Sequence, residues 1–202
     1  MKLLGSTTSP YVRKARLVLL EKSIPHEYVN DPPQEPGSQV LIVNPLGRIP
    51  ALILDDGFCV FDSSVIADYV DSLSDSQVLI PRNDANARLR VKRWEALADG
   101  MMDSAIMVRI ESIRSQEKQD KAIIELHNAA VTKALIFASQ SLGTQVWCEG
   151  DAITLADLAL VSALLYLDLR QAERPWRETH KNLATWFERV SARRSVIVSR
   201  ES

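Results

Sequence analysis

The sequence predicts an α/β domain followed by an all-α helical bundle domain. Three observations carry that expectation. Seven of the nine prolines lie in the first 50 residues, where strand-like patches alternate with helical ones. From Asp84 onward only Pro175 remains, and the helical period dominates. The charges divide too: residues 1–78 hold six Lys/Arg against ten Asp/Glu, and the remainder holds 18 against 16. The texture changes at Gln77-Val78-Leu79-Ile80-Pro81-Arg82-Asn83, so the boundaries fall at 1–78 and 84–202, with 79–83 as linker.

The first domain reads as βαβαββα. Lys2–Gly5 is a short strand. Pro10–Lys22 is a helix with Tyr11, Ala15, Val18 and Leu19 on one face. His26–Asn30 is a second strand, and the Pro-rich stretch 31–37 is a loop leading to a short helix that ends near Val43. Ala51–Leu54 and Phe58–Phe61 are strands joined by the tight turn Asp55-Asp56-Gly57. Ser63–Leu73 is a helix with Val65, Ile66, Tyr69, Val70 and Leu73 inward. A βαβ start requires a parallel strand pair, and the Asp-Gly hairpin adds an antiparallel edge. The second domain reads as helices over Asp84–Ile113, with a bend expected near Gly100, then Glu117–Leu142, a buried Thr154–Gln171 and Asn182–Ala192. The tail after Arg194 is expected to fray.

Composition excludes several classes of function. Of 202 residues, 46% are apolar and 25% charged, which excludes a disordered chain. A formal charge of −2 lacks the basic excess of a nucleic-acid binder. Cys59 and Cys148 are too few for a disulfide framework and fit a reducing compartment, the cytosol. No signal-peptide core follows Met1-Lys2. The most apolar stretch, Leu158 to Leu167, is half the roughly 20 residues a membrane span needs. The expectation is a soluble cytoplasmic protein.

Three places in the first domain carry chemistry. Thr7-Thr8-Ser9-Pro10 is a helix start, with Ser9 as N-cap and Pro10 in the first turn. A helix N-terminus at the end of a strand is also an anion site, where a hydroxyl can donate to a thiolate. In Asn44-Pro45-Leu46-Gly47-Arg48-Ile49-Pro50, Pro50 suits the first residue of a strand. A cis Ile49-Pro50 bond would turn the Ile49 amide and carbonyl toward an extended ligand, although base rates favour trans. In Phe61-Asp62-Ser63-Ser64, Asp62 or Ser63 caps the third helix. The same residues suit an α-amino acid head: the helix start and Ser63 for its carboxylate, Asp62 for its ammonium.

These three runs, continued through Tyr11-Val12-Arg13-Lys14-Ala15-Arg16, Ala51-Leu52 and Val65-Ile66-Ala67-Asp68-Tyr69, resemble the glutathione S-transferases. The likeness is nearest to the bacterial YibF-like members with a serine-type site. It implies a thioredoxin-like N-terminal domain, an all-α C-terminal domain that helps to form an apolar electrophile site, and a homodimer. It also implies glutathione as co-substrate, no metal, and neither nucleic acid nor membrane as partner. By position, Ser9 matches the serine that hydrogen-bonds the glutathione sulfur. Ile49, with Pro50, matches the residue whose backbone pairs with the cysteinyl part. Arg48 matches a Gln or Lys that touches glutathione, and Asp62-Ser63 matches the Glu-Ser pair that holds the γ-glutamyl head. Asp for Glu shortens that reach by one methylene, and Thr7 and Thr8 are rival hydroxyls to Ser9. Thr154-Leu155-Ala156-Asp157 matches the family's capping box, which is structural. The activity implied is conjugation of the glutathione thiolate to small electrophiles, with reduction of organic peroxides beside it. A non-catalytic ligand-binding or protein-partner module of the same fold is the alternative.

No cysteine lies near position 9 and no Cys-x-x-Cys exists, which argues against the cysteine-type members, thioredoxins and glutaredoxins. The expected role of Cys59 is a small buried hydrophobe. His26, His127 and His180 lack metal spacing. Arg88, Arg90, Lys92 and Arg93 spread around their helix, as a solvated face or a subunit contact does. Met101, Met102 and Met107 suit either a core or a permissive apolar pocket.

Overall fold

The computed structural model describes residues 1–200 and divides into two compact units. The first runs from Met1 to Asp84 and takes back the segment from Ala192; the second is Ala85–Ser191.

The first unit contains β1 (Lys2–Gly5), α1 (Pro10–Glu21), β2 (Glu27–Asn30), α2 (Val40–Val43), β3 (Ala51–Ile53), β4 (Cys59–Val60) and α3 (Ser63–Ser72). The strands form one sheet in the order β2-β1-β3-β4. β1 pairs with β2 in parallel across the α1 crossover; β3 and β4 pair antiparallel around the Asp-Gly turn. Gly57 takes φ +86° there, and Asp56 Oδ1 accepts the Phe58 amide at 2.9 Å. The thioredoxin-like order read from the sequence is the order observed. Gly5 ends β1 where α1 crosses it: a Cβ at that position would lie 2.3 Å from Val12 Cγ2.

The expected frayed tail is instead a helix, α9 (Arg194–Arg200), and it packs on α1 within the first unit. The second unit therefore starts at Ala85 and closes at Ser191 rather than running from residue 84 to the chain end. The cause is a pair of charge contacts matched to helix ends. Arg193 Nε and Nη2 donate to the Glu21 carboxylate at 2.9 and 2.7 Å, and the Ser195 hydroxyl also donates to it, which sets an acid at the start of α9. At the other end Arg16 donates to the carbonyls of Ser199 and Val198 at 3.1 and 3.3 Å. α1 buries Lys14, Arg16 and Leu17 as well as Ala15, Val18 and Leu19 of its predicted apolar face, while Tyr11 is half-buried.

The segment after α3 is fastened rather than loose. Asp71 is buried and accepts the Leu79 and Ile80 amides at 2.8 and 3.3 Å. Its partner Lys22, also buried, donates to Asp71 at 3.1 Å and to the carbonyls of Ser74 and Gln77.

The second unit contains α4 (Ala85–Ser112), a 3₁₀ turn (Gln116–Lys118), α5 (Lys121–Leu142), α6 (Leu155–Arg170), α7 (Trp176–Thr179) and α8 (Lys181–Ser191). α4 continues as helix through Gly100. Every residue of α6 from Leu155 to Leu167 is buried, as an all-round apolar helix must be. The capping box at its start is present. Asp157, fully buried, accepts the Thr154 amide and the Cys148 amide at 2.9 Å each. Burial raises its pKa against the pull of these bonds. Met101 and Met102 are core; Arg90 pairs with Glu149, and Lys92 with Glu95. α7 is a short helix beyond those read from the sequence; Trp176 anchors it, donating to Asp168 and meeting Phe187 edge-on at 5.4 Å. No helix among the described residues is long and apolar enough to cross a membrane.

Two expectations test this architecture. Thr154→Ala should cost about 0.5–2 kcal/mol. Asp157→Ala should cost more, because each buried amide it strands is worth about 1–3 kcal/mol; urea unfolding measures both. The second concerns Glu21. Burial opposes its charge, but Arg193 and Ser195 outweigh burial and hold the carboxyl below its usual range. Its contribution is therefore full above the unfolded value, about 4.3, and is lost as pH falls through the folded one. Glu21→Gln should lower stability at pH 7, and thermal melts should show the gap to wild type closing on the acid side. A gap independent of pH would contradict the clamp.

Candidate functional site

The strand register gathers the sequence-predicted residues. Leu4 pairs with Ala51, and Leu52 with Val60. The exit of β1, the entry of β3 and the exit of β4 thus lie at one end of the sheet. Ser9 follows the first, Ile49-Pro50 precedes the second, and Asp62-Ser63 follows the third.

At the first point, a turn from the Ser6 carbonyl to the Ser9 amide (3.0 Å) closes the loop after β1. Ser9 is extended (φ −75°, ψ 125°), and its Oγ accepts the Val12 amide at 3.4 Å. Acceptance uses a lone pair and leaves the hydroxyl proton available to another group. Thr8 is exposed, with Oγ1 3.2 Å from Ser6 Oγ. The Thr7 carbonyl accepts from Arg13 Nη2 at 3.3 Å.

At the second point, Asn44 is buried and shapes the loop. Its Nδ2 donates to the Arg48 carbonyl at 2.7 Å, and its Oδ1 accepts the Leu46 amide at 3.0 Å. Gly47 completes the turn at φ +57°. Arg48 is exposed, Ile49 half-buried and Pro50 buried. The Ile49-Pro50 bond is cis, against its base rate, and Phe61-Asp62 is cis as well.

At the third point, Asp62 is exposed and caps α3, with Oδ1 accepting the Ser64 and Val65 amides at 3.0 and 3.5 Å. Ser63 behind it is buried. α1 and α3 pack side by side, with Lys14 Nζ 3.4 Å from Ser64 Oγ.

Sequence reasoning missed Lys14 and the Asn44 side chain as organisers of this end, and passed over Arg13 beside it. Asn-Pro-x-Gly was the available signal for Asn44; nothing local marks the two cations. The cysteines are set apart from thiolate chemistry. Cys59 is half-buried in β4, where burial raises its pKa. Cys148 belongs to the second unit, and burial together with the Asp157 charge pushes its thiol well up. Among the described residues no group of three His, Cys, Asp or Glu could hold a metal ion.

This end of the sheet therefore offers two helix N-termini, a donor hydroxyl at one and a carboxylate at the other. An elongated ligand with an anionic sulfur and an amino-acid head matches that pattern. Known proteins point the same way. Residues 8–73 match the glutathione S-transferase N-terminal domain, and residues 101–194 match the C-terminal domain of the same family. The uncharacterized GST-like protein YibF of Escherichia coli K12 is 34% identical over 197 residues, spanning 96% of each protein. A glutathione S-transferase from Methylobacillus flagellatus KT, crystallised with glutathione bound, is 40% identical with a TM-score of 0.95 over 98% of each chain. A glutathione transferase family member from Pseudomonas fluorescens Pf-5, with bound S-(propanoic acid)-glutathione, is 33% identical with a TM-score of 0.85 over 100% of both chains. With both units matched and 96% of its length shared with YibF, this chain belongs to the glutathione S-transferase family.

Proposed function

We propose that this chain is a transferase that holds glutathione along one end of its four-stranded sheet and adds the glutathione sulfur to small electrophiles, with organic peroxides as a second acceptor class. The observation that carries this reading is the meeting of Ser9, Ile49-Pro50 and Asp62-Ser63 at that end. In this reading Ser63 and the start of α3 take the γ-glutamyl carboxylate, and Asp62 takes the ammonium. The Ile49 backbone pairs with the cysteinyl part, and Arg48 touches the tripeptide from its exposed loop. The glutathione-loaded relative from Methylobacillus flagellatus supports the ligand. The Pseudomonas fluorescens relative binds a glutathione substituted on sulfur, which supports a site with room for an S-conjugate. Homodimer assembly belongs to the same reading.

The chemical task is to hold sulfur as thiolate at neutral pH. A free thiol ionises near about 8.5, so a two-unit depression needs about 2.7 kcal/mol of preferential thiolate stabilisation. A hydroxyl bond to a charged group supplies about 1.5–3 kcal/mol, and a helix N-terminus about 0.3–1 kcal/mol. Ser9 at the start of α1 combines the two. The thiolate then attacks the electrophilic carbon, and the displaced group leaves with the bonding pair. Retention on immobilised glutathione, followed by turnover of chlorodinitrobenzene and an organic peroxide, tests the reading. Retention without turnover of a broad electrophile panel would favour a ligand-binding module.

Ser63→Ala and Asp62→Ala should each weaken glutathione binding by about tenfold to a hundredfold, the worth of a charged hydrogen bond. Asp62→Asn separates the two duties of Asp62: it keeps an N-cap of equal quality yet should lose the affinity. Calorimetry showing wild-type affinity in all three variants would remove the proposed head site. Ser9→Ala should raise the apparent pKa of bound glutathione and slow neutral-pH conjugation about tenfold to a hundredfold, at or below the low end for an oxyanion donor. Binding should change little. Thr8→Ala is the control, and the pH dependence of conjugation is the measurement. Midpoints that stay put in Ser9→Ala and move in Thr8→Ala would transfer the role to Thr8.

A further inference from the structure

Arg13 stands one turn beyond Ser9 on α1, its amide bonded to the Ser9 carbonyl at 3.1 Å. Helical side chains lean toward the N-terminus. Arg13 does so, and its Nη2 reaches the Thr7 carbonyl at 3.3 Å. Its Nε is buried and makes no hydrogen bond. Other guanidiniums of the chain meet carboxylates: Arg82 meets Asp71 and Asp75, Arg90 Glu149, Arg114 Glu111, Arg177 Asp168 and Arg193 Glu21. The charged and titratable groups that face Arg13 are Arg200, Arg16 and the Tyr28 phenol; among the described residues none is a carboxylate. Burial, then Arg200 and Arg16, press its pKa down. The arrangement is built in, because Arg16 grips the carbonyls of Val198 and Ser199 and so brings the end of α9, with Arg200, to this place. Arg16 and Arg200 thus act together on Arg13, whose guanidinium holds the Thr7 carbonyl of the Ser9 loop.

Strand order says which side of the sulfur that charge occupies. From β1 the tripeptide path runs across β3 to β4, through Ile49-Pro50 to Asp62-Ser63. Tyr28 belongs to β2, on the opposite side of β1. Arg13 faces Tyr28 and α9, whereas Lys14 turns to Ser64 of α3. The guanidinium therefore lies on the side of Ser9 away from the proposed tripeptide path.

We propose that Arg13, assisted by Arg200, selects electrophiles that carry a carboxylate and holds that carboxylate beside the reacting sulfur. This rests on the glutathione reading above. The reaction stays ordinary: the sulfur–carbon bond forms, and with an aryl chloride the carbon–chlorine bond breaks and chloride departs with the electron pair. The anion binds and orients only.

The test compares isosteric ligands that need no turnover. Calorimetry on the full chain measures glutathione, S-(2-carboxyethyl)glutathione and S-(2-carbamoylethyl)glutathione, in wild type and in Arg13→Gln. Wild type should prefer the acid over the amide by about tenfold or more, the range of a charged hydrogen bond. Arg13→Gln should bring that ratio near unity while glutathione affinity stays within about twofold, since the charge serves the second substrate. The kcat/KM ratio of 4-chloro-3,5-dinitrobenzoate to its carboxamide should fall in parallel. Equal wild-type affinity for acid and amide overturns the proposal. So does an Arg13→Gln loss shared equally by glutathione and both conjugates, because the carboxylate served would then be glutathione's own. Failure of glutathione itself to bind wild type sinks the reading of the preceding section and this one with it. Glutathione bound without acid preference sinks this one alone. Should Arg13→Gln not fold, as judged by circular dichroism, Arg200→Gln at the exposed end of α9 takes its place, with partial loss of the preference expected and an unchanged preference counting against the proposal.

Discussion

The closeness with which α1 crosses the end of β1 governs the geometry of everything at the proposed glutathione end. No side chain fits at Gly5, because Val12 already occupies the space a Cβ would need. With the crossing this tight, the connection is the four residues from Ser6 to Ser9, and the helix begins at the edge of the sheet. The Ser9 hydroxyl is consequently held by the same turn that starts α1, and its position is tied to the core through Val12. The antiparallel register then places the other two contact points without further devices. A loosened β1–α1 contact would move Ser9 relative to Asp62 and Ser63, although none of these is Gly5 or Val12.

Both units solve the same problem in the same way. A loop must be fixed against a helix, and a buried aspartate collects its amides. Asp71 gathers Leu79 and Ile80; Asp157 gathers Cys148 and Thr154. They differ in how the charge is balanced. Asp71 has Lys22 in contact, whereas Asp157 relies on amides and the Thr154 hydroxyl, and burial raises its pKa. Backbone amides can stabilise a buried carboxylate without a counter-ion, though at the cost of a less acidic group.

Much of this was legible because its causes are local. Ser9-Pro10, Asp55-Asp56-Gly57 and Thr154-Leu155-Ala156-Asp157 each contain their own start or stop chemistry, and the structure carries all three. The order of elements followed from periodicity and from the handedness of βαβ crossovers. What escaped was decided at long range. α9 offers seven residues, two of them arginine at its ends, and its partners Glu21 and Arg16 stand more than 170 positions away. Lys14 lies outside the predicted apolar face but is fully buried, beside Ser64 of α3, a polar neighbour that no local pattern announces. The cis Ile49-Pro50 bond likewise runs against the statistics of an isolated X-Pro pair. The role expected of Arg48 came from family likeness alone, whereas Asp62 and Ser63 suggested an amino-acid head by their own chemistry, although an N-cap and a ligand clamp look identical in sequence.

The return of α9 to the first unit has a consequence for how the chain comes into being. Synthesis runs from the N-terminus, and domains tend to fold as they emerge. Here the sheet, α1 and α3 emerge early, but the face of α1 that carries Arg16 and Glu21 has no cover until α4 to α8 have all been made. The first unit is thus the first begun and the last finished. A nascent chain stalled inside the helical unit would present two naked charges and an uncovered helix flank to the surrounding cell.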